Sequence, residues 1–196
     1  RKIKDAGLLR DPSGRAPRDV LIVMKMGRAV LLNINHPELA RLVHEEPGGL
    51  SRVTPDEQGG AYVTGRTQSS DFPATGGYHG GYDAFALELA PAGNALAFAK
   101  FLGGAGDDIG TGVAVTPLGD ACFTGSTSSS TFPTTAGAYD ASANGGDDAY
   151  LVRISAGAIA YSSYLGSSGA DRGLGVVIAP SGRVSVAGPT DNTGFP

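Results

Sequence analysis

The sequence predicts an all-β fold assembled from repeated antiparallel units of four short strands, and three observations predict it. Gly59–Pro73 reads GGAYVTGRTQSSDFP, Gly119–Pro133 reads GDACFTGSTSSSTFP and Gly182–Pro196 reads GRVSVAGPTDNTGFP, so one phrase recurs at intervals of 60 and 63 residues. A period of that size, with its turn residues in place, marks stacked supersecondary units. Composition agrees: 31 Gly and 12 Pro among 196 residues, with 7% aromatics and no Trp, favour many turns over long helices. Lastly, Tyr150, Val152 and Ile154 alternate with Leu151 and Arg153, which is the period of a strand.

The formal charge of −4 conceals a division. Residues 1–50 hold nine Lys and Arg against six Asp and Glu, whereas residues 51–196 hold six against thirteen. Both Met lie in the first part and 26 of the Gly in the second, which puts a boundary near Gly48-Gly49. The chain therefore divides into a non-repeat segment, 1–48, and a repeat region, 49–196. An acidic repeat region argues against a nucleic-acid groove. The best apolar run, Val20–Met26, is too short to span a bilayer and is cut by Gly27 and Arg28, so membrane insertion is not expected. A lone Cys122 allows no disulfide within the chain and leaves the redox compartment open. The first residue is Arg and no secretory signal is visible; the chain reads as a piece of something longer, so the missing signal carries little weight.

Residues 1–18, charged and carrying Pro12, Gly14 and Pro17, read as a loose lead-in. Asp19–Met26 and Ala29–Ile34, separated by Gly27-Arg28, read as a hairpin with a two-residue turn. Pro37 at a first helical position opens a short helix, Pro37–Glu46, with Leu39, Leu42 and Val43 as its apolar face and Pro47-Gly48-Gly49 as its stop.

The second repeat unit is complete. Val113–Thr116 is its first strand, turned by Pro117-Leu118-Gly119; Ala121–Thr124 is the second, ended by Gly125. A long polar loop carries Phe132-Pro133 and Gly145-Gly146, followed by a third strand, Asp148–Ile154, and a fourth, Ala158–Leu165. The first unit matches it, with Leu50–Thr54 as a poor first strand, Asp83–Leu89 as the third and Ala95–Leu102 as the fourth. Leu96, Phe98 and Leu102 stand where Ile159, Tyr161 and Leu165 stand, a phase that a one-residue slip would destroy. Four antiparallel strands per 60 or so residues is the content of one propeller blade, and a lone blade cannot cover both its faces. The expectation is a partial β-propeller of about two and a half blades (49–102, 110–165 and an incomplete 173–196), preceded by the hairpin-plus-helix segment. Small residues in the second strand, Ala61 and Gly65 or Ala121 and Gly125, fit a crowded position where blades converge.

The two long copies, with Asp83-Ala84-Phe85, Asp148-Ala149-Tyr150 and the connection Phe101–Gly112, resemble the bacterial SBBP repeats, the family named for a seven-bladed β-propeller. The resemblance covers about residues 49–196. Its repeat positions are Gly65, Thr67, Phe72, Pro73, Asp83 and Asp108, then Gly125, Thr127, Phe132, Pro133, Asp148 and Asp171, then Gly188 and Thr190. It implies an extracellular or cell-surface location, and remaining blades supplied by a longer parent chain. Seven blades at this period need roughly 420 residues, so this stretch alone would be an open arc with exposed edge strands.

Asp107-Asp108 and Asp171 sit in Gly-rich connections, where a calcium loop is one reading. EF-hand spacing is missing and Asp107 corresponds to Ala170, which favours the other reading: Asp108 and Asp171 hold turn N–H groups, and no metal is expected. Asp83 and Asp148 repeat at one place per blade, so they do not face each other as a glycosidase pair must; they read as caps of the turn entering a strand. His36, His44 and His79 share no repeat position and no metal spacing. The Gly-rich connections lack the Gly-Lys-Ser/Thr of a phosphate loop. Cys122 reads as a buried small residue, and Phe-Pro as a wedge packing the long loop onto its blade.

No catalytic residue and no cofactor is thus assigned. The reading that follows is a non-enzymatic extracytoplasmic module for protein or glycan interaction at the bacterial surface, because propellers display loops of several blades on one face. Two alternatives stay open: a propeller lyase or glycoside-acting enzyme, hinted at only by the non-repeating Arg66 and His79, and a structural spacer between surface domains.

Overall fold

The computed structural model of the chain describes residues 20–25, 28–33, 50–91 and 95–191. Among them are twelve strands and no helix. The helix expected at Pro37–Glu46 lies outside the described residues. Strands β1 (Val20–Lys25) and β2 (Arg28–Asn33) pair antiparallel with Lys25 opposite Arg28. Arg28, expected in the turn, is instead the first residue of the second strand.

Two four-stranded antiparallel meanders follow. The first holds β3 (Leu50–Pro55), β4 (Ala61–Thr67), β5 (Asp83–Leu89) and β6 (Leu96–Leu102); the second holds β7 (Asp108–Val115), β8 (Ala121–Thr127), β9 (Asp148–Ser155) and β10 (Ala158–Leu165). A two-stranded sheet of β11 (Gly175–Ile178) and β12 (Val184–Ala187) completes the order. Gly59, Gly119 and Gly182 all take positive φ (96°, 84° and 83°) in the turns between each unit's first two strands, a conformation that glycine adopts without a Cβ clash.

The two meanders share irregularities as well as strands. In the first pair of each, the register slips by one residue, between Leu50 and Arg52 and between Gly110 and Gly112. In the last pair, Phe98 pairs with Glu88 and Leu96 with Leu89, just as Tyr161 pairs with Arg153 and Ile159 with Ile154. Matching bulges at matching places require the same backbone, since a bulge bends its strand and increases the local twist. The first strand of the second unit is longer than the apolar run suggests: it begins at Asp108, so this residue opens a strand rather than lying in a connection. The second strand likewise continues through Gly125 to Thr127, with Gly125 paired to Gly110 on one side and Tyr150 on the other.

Both faces of the first meander are buried. Val63, Phe85, Leu87 and Leu89 form one core with Phe72 and Phe101. The opposite face, Tyr62, Ala84 and Ala86 with Leu102, forms a second core with Phe123, Tyr150, Val152, Ile154 and Tyr164 of the next sheet. Burying each such large side chain contributes about 1.5–3 kcal/mol, so the contact between sheets is as much a part of the fold as the sheets themselves. Polar ties cross the same junction: Thr54 Oγ1 donates to the Val113 carbonyl at 3.1 Å and Tyr62 Oη to the Gly119 carbonyl at 3.0 Å. The arrangement is a face-to-face stack of small antiparallel sheets.

Candidate functional site

Among the described residues the most unusual chemistry is a row of buried aspartates along one end of the stack. Asp83, Asp108, Asp148 and Asp171 are all fully buried. Each accepts the backbone N–H of the residue four positions before it: His79 at 2.8 Å, Gly104 at 2.8 Å, Asn144 at 2.9 Å and Ser167 at 2.7 Å. Each aspartate thus holds an N–H of the turn before it, where an ordinary Asx turn reaches two residues on. This one device fixes four consecutive turns.

Register places these residues in a line. Thr67 pairs with Asp83, Thr127 lies between Asp108 and Asp148, and Thr190 bridges to Asp171. The N–H of Asp108 donates to the Tyr82 carbonyl and that of Asp171 to the Asp147 carbonyl, both at 2.6 Å. These bonds carry the next unit's first strand onto the turn before Asp83 or Asp148. The aspartates of neighbouring units therefore meet. A Cβ on Gly103 would lie 2.6 Å from Asp83 Oδ1 and 2.7 Å from Asp108 Oδ2, so the two carboxylates are no farther apart than those distances combined. A Cβ on Gly166 would likewise meet both Asp148 Oδ1 and Asp171 Oδ2.

From the sequence, Asp83 and Asp148, repeating once per unit, are not expected to face each other; they stand in different sheets, and each meets another carboxylate. Their partners come from the following unit, at positions read separately as connections. Two signals in the sequence fit the pairing: Gly103 and Gly166 precede Asp108 and Asp171 at the same spacing, and Ser129 repeats Ser69. Ser129 is buried, takes the Gly106 N–H at 2.8 Å and donates to Asp108 Oδ2 at 2.8 Å.

Burial governs the electrostatics here. It raises the Asp83 carboxyl above the ordinary range, against the His79 N–H and imidazole, which lower it. It pushes Asp108 up to about 6; the Thr127 hydroxyl, Gly104 N–H and Ser129 hydroxyl oppose this and the Asp83 charge adds to it. Asp148 is raised by burial and further by Asp171, Asp140 and Asp147, with the Asn144 N–H opposing. One oxygen of each aspartate, Oδ1, has no hydrogen-bond partner. Paired carboxylates are also what acid–base chemistry on a sugar uses; here none of the four has exposed surface. Among the described residues no group of three or more His, Cys, Asp or Glu is gathered as a metal site requires.

The remaining repeat residues build the scaffold around this row. Thr67 and Thr127 each accept the N–H of the serine two residues on at 3.0 Å. Phe72 lies against Phe85 and Phe132 against Tyr150, and both are buried, so each Phe-Pro loop is pinned to its own sheet with Pro73 or Pro133 half-buried at its edge. Gly125 has no room for a side chain because of the Ile109 carbonyl, and Gly188 none because of the Arg172 carbonyl. Cys122 is buried and its thiol is pushed up to about 11, chiefly by desolvation, which suits an inert packing residue.

Outside this framework the units diverge. Arg66 lies over the Tyr82 ring at 4.2 Å, and exposed His79 sits nearby in sequence; the equivalent positions of the second unit are Ser126, Asp147 and Asn144. There Asp147 pairs with Arg172 at 3.0 Å, and Asp120 with Arg153. No protein-family model matches the chain, and no curated protein matches it.

Proposed function

We propose that the chain is the repeat portion of a bacterial β-propeller that works outside the cytoplasm as a non-enzymatic module binding protein or glycan. One observation carries the reading: the aspartate and threonine bonds of the buried scaffold recur in both units, whereas the residues leading into and through the loops before the third strands differ. Thr64 and Thr124 make the same 2.7 Å bond to the third strand, while Arg66 and Tyr82 are replaced by Ser126 and Asp147. A rigid scaffold with chemically varied loops is the usual way a repeat protein makes a binding surface. The resemblance to SBBP repeats supports the propeller geometry and the surface location, with further blades completing the arc.

Glycan-array screening and pull-down with the whole chain test the reading, alongside an Arg66→Ala/Tyr82→Ala variant. Binding of a defined glycan or protein, weakened at least about tenfold in the variant, is expected when a cation and an aromatic ring are lost from a contact surface. Turnover of a glycoside or uronate substrate by the chain would replace the binding module with an enzyme. Failure to capture any glycan or protein would favour a spacer.

A further inference from the structure

We infer that the two junctions between successive sheets are proton-operated latches, tightest when Asp83 with Asp108, and Asp148 with Asp171, hold one proton per pair, and looser when both members are ionised. The geometry carries this. Each junction brings two fully buried carboxylates against one glycine, Gly103 or Gly166, and in each pair both Oδ1 atoms lack a hydrogen-bond partner. Two like charges confined so closely out of water oppose each other, and a single proton removes that repulsion. The same construction occurs twice at the same register, so it belongs to the repeat and not to one local accident.

The groups facing the pairs offset their charge only in part, the His79 imidazole favouring the ionised form of Asp83. Around the first, His79 Nδ1 lies 3.7 Å from Asp83 Oδ2, with its side chain 46% exposed. Asp107 Oδ1 is occupied by the Tyr82 N–H, and the Thr127 and Ser129 hydroxyls and the Tyr150 and Tyr164 phenols are neutral near neutral pH. Around the second, Asp140 and Asp147 add negative charge, Arg172 is engaged by Asp147 at the surface and Asp191 takes the Ala170 N–H. The sign follows from burial. A carboxyl raised in the folded state binds its proton more tightly there than in the unfolded chain, so its contribution is full below the unfolded value and is lost as pH rises through the folded one. For Asp108 that window runs from about 4 to about 6.

Urea unfolding of the full chain between pH 8 and pH 5 tests the latch. The wild-type midpoint is expected to rise on acidification, with the unfolding constant in water falling at least about tenfold. The Asp108→Asn/Asp171→Asn protein, uncharged at one member of each pair, is expected to show a clearly smaller rise, the remainder coming from the burial of Asp83 and Asp148. A wild-type midpoint that is flat or falls toward pH 5, or a variant with the wild-type rise, overturns the proposal. Should the variant not fold, carbon-13 NMR titration of the wild-type aspartate carboxyls decides. At least one member of each pair titrating above the ordinary carboxylate range supports the latch, and all four at or below that range sinks it. Millimolar calcium at pH 8 is expected to leave the midpoint unchanged. A calcium-induced rise to the pH 5 value would make a metal ion, and not a proton, the counter-charge.

Discussion

Phe132 stacks on Tyr150 with ring centroids 4.6 Å apart and planes 29° from parallel, and one unit earlier Phe72 meets Phe85 at 4.9 Å and 39°. A loop residue and a strand residue thus hold the same relation in both copies, each with a further ring beyond it: Tyr164 at 5.8 Å, Phe101 at 5.7 Å. The Tyr164 hydroxyl also ties the loop down, taking the Phe132 N–H at 2.9 Å and donating to the Ser129 carbonyl at 2.7 Å. The long polar loop is therefore anchored in the core by its phenylalanine.

Replacing that anchor should be costly. Phe132→Ala empties a fully enclosed ring site and is expected to destabilise the chain by about 3–5 kcal/mol, as large-to-small aromatic changes in cores do. Phe132→Leu should recover most of this, losing mainly the ring stacking, about 1 kcal/mol. Urea midpoints of the two variants provide the check. A loss below about 1 kcal/mol for the alanine variant would mean that the loop packs only at the surface.

The stacking of sheets depends on close backbone approach, and this too can be measured. Gly110 passes over Thr64, and Gly173 over Thr124, so tightly that a Cβ on either glycine would collide with the threonine hydroxyl. The Gly173 N–H also donates to the Gly125 carbonyl at 3.0 Å. Gly173→Ala must push the sheets apart or displace a hydroxyl already bonded to the Tyr150 carbonyl, a cost of about 1–3 kcal/mol. Gly175, two residues on, has nothing within 4 Å of a Cβ and no positive φ, so Gly175→Ala should fall within about 0.5 kcal/mol of wild type. Equal effects from both substitutions would remove the close approach from the account.

Much of this could be read in the sequence where local chemistry decides. Asp148–Ile154 and Ala158–Leu165 follow from alternation and the turn expected at Ser155-Ala156-Gly157, with the third strand running one residue further to Ser155, and Asp83–Leu89 follows from its match to them. The start of β7 could not be read that way. Gly110-Thr111-Gly112 has no alternating apolar side chains, and its strand conformation comes from the bulge at Thr111 and the sheet beneath, neither of which is local. The carboxylate pairs escaped for the same reason: Asp83 meets Asp108 only once two units have stacked. Residues inserted between Tyr139 and Asn144 also lengthen the spacing from Phe132 to Asp148 relative to that from Phe72 to Asp83, which hides the likeness of the two turns.

Cys122 offers a probe of the second sheet's other face. It stands between Ala114 and Arg153 in register, on the side away from Phe123, and is 1% exposed. Burial also keeps its thiol protonated, since desolvation raises it and the neighbouring Arg153 only partly compensates. Reaction with a thiol reagent at neutral pH therefore requires both opening of the sheet face and loss of a tightly held proton. Ellman's reagent should react at least about 100-fold more slowly with the native chain than with the chain in denaturing urea, paced by opening. Destabilising the junction with Gly173→Ala should speed the native reaction, because that face turns toward the strand carrying Gly175 and Val176. Native and denatured rates agreeing within a few-fold would place Cys122 at an open surface and leave the second sheet uncovered on that side.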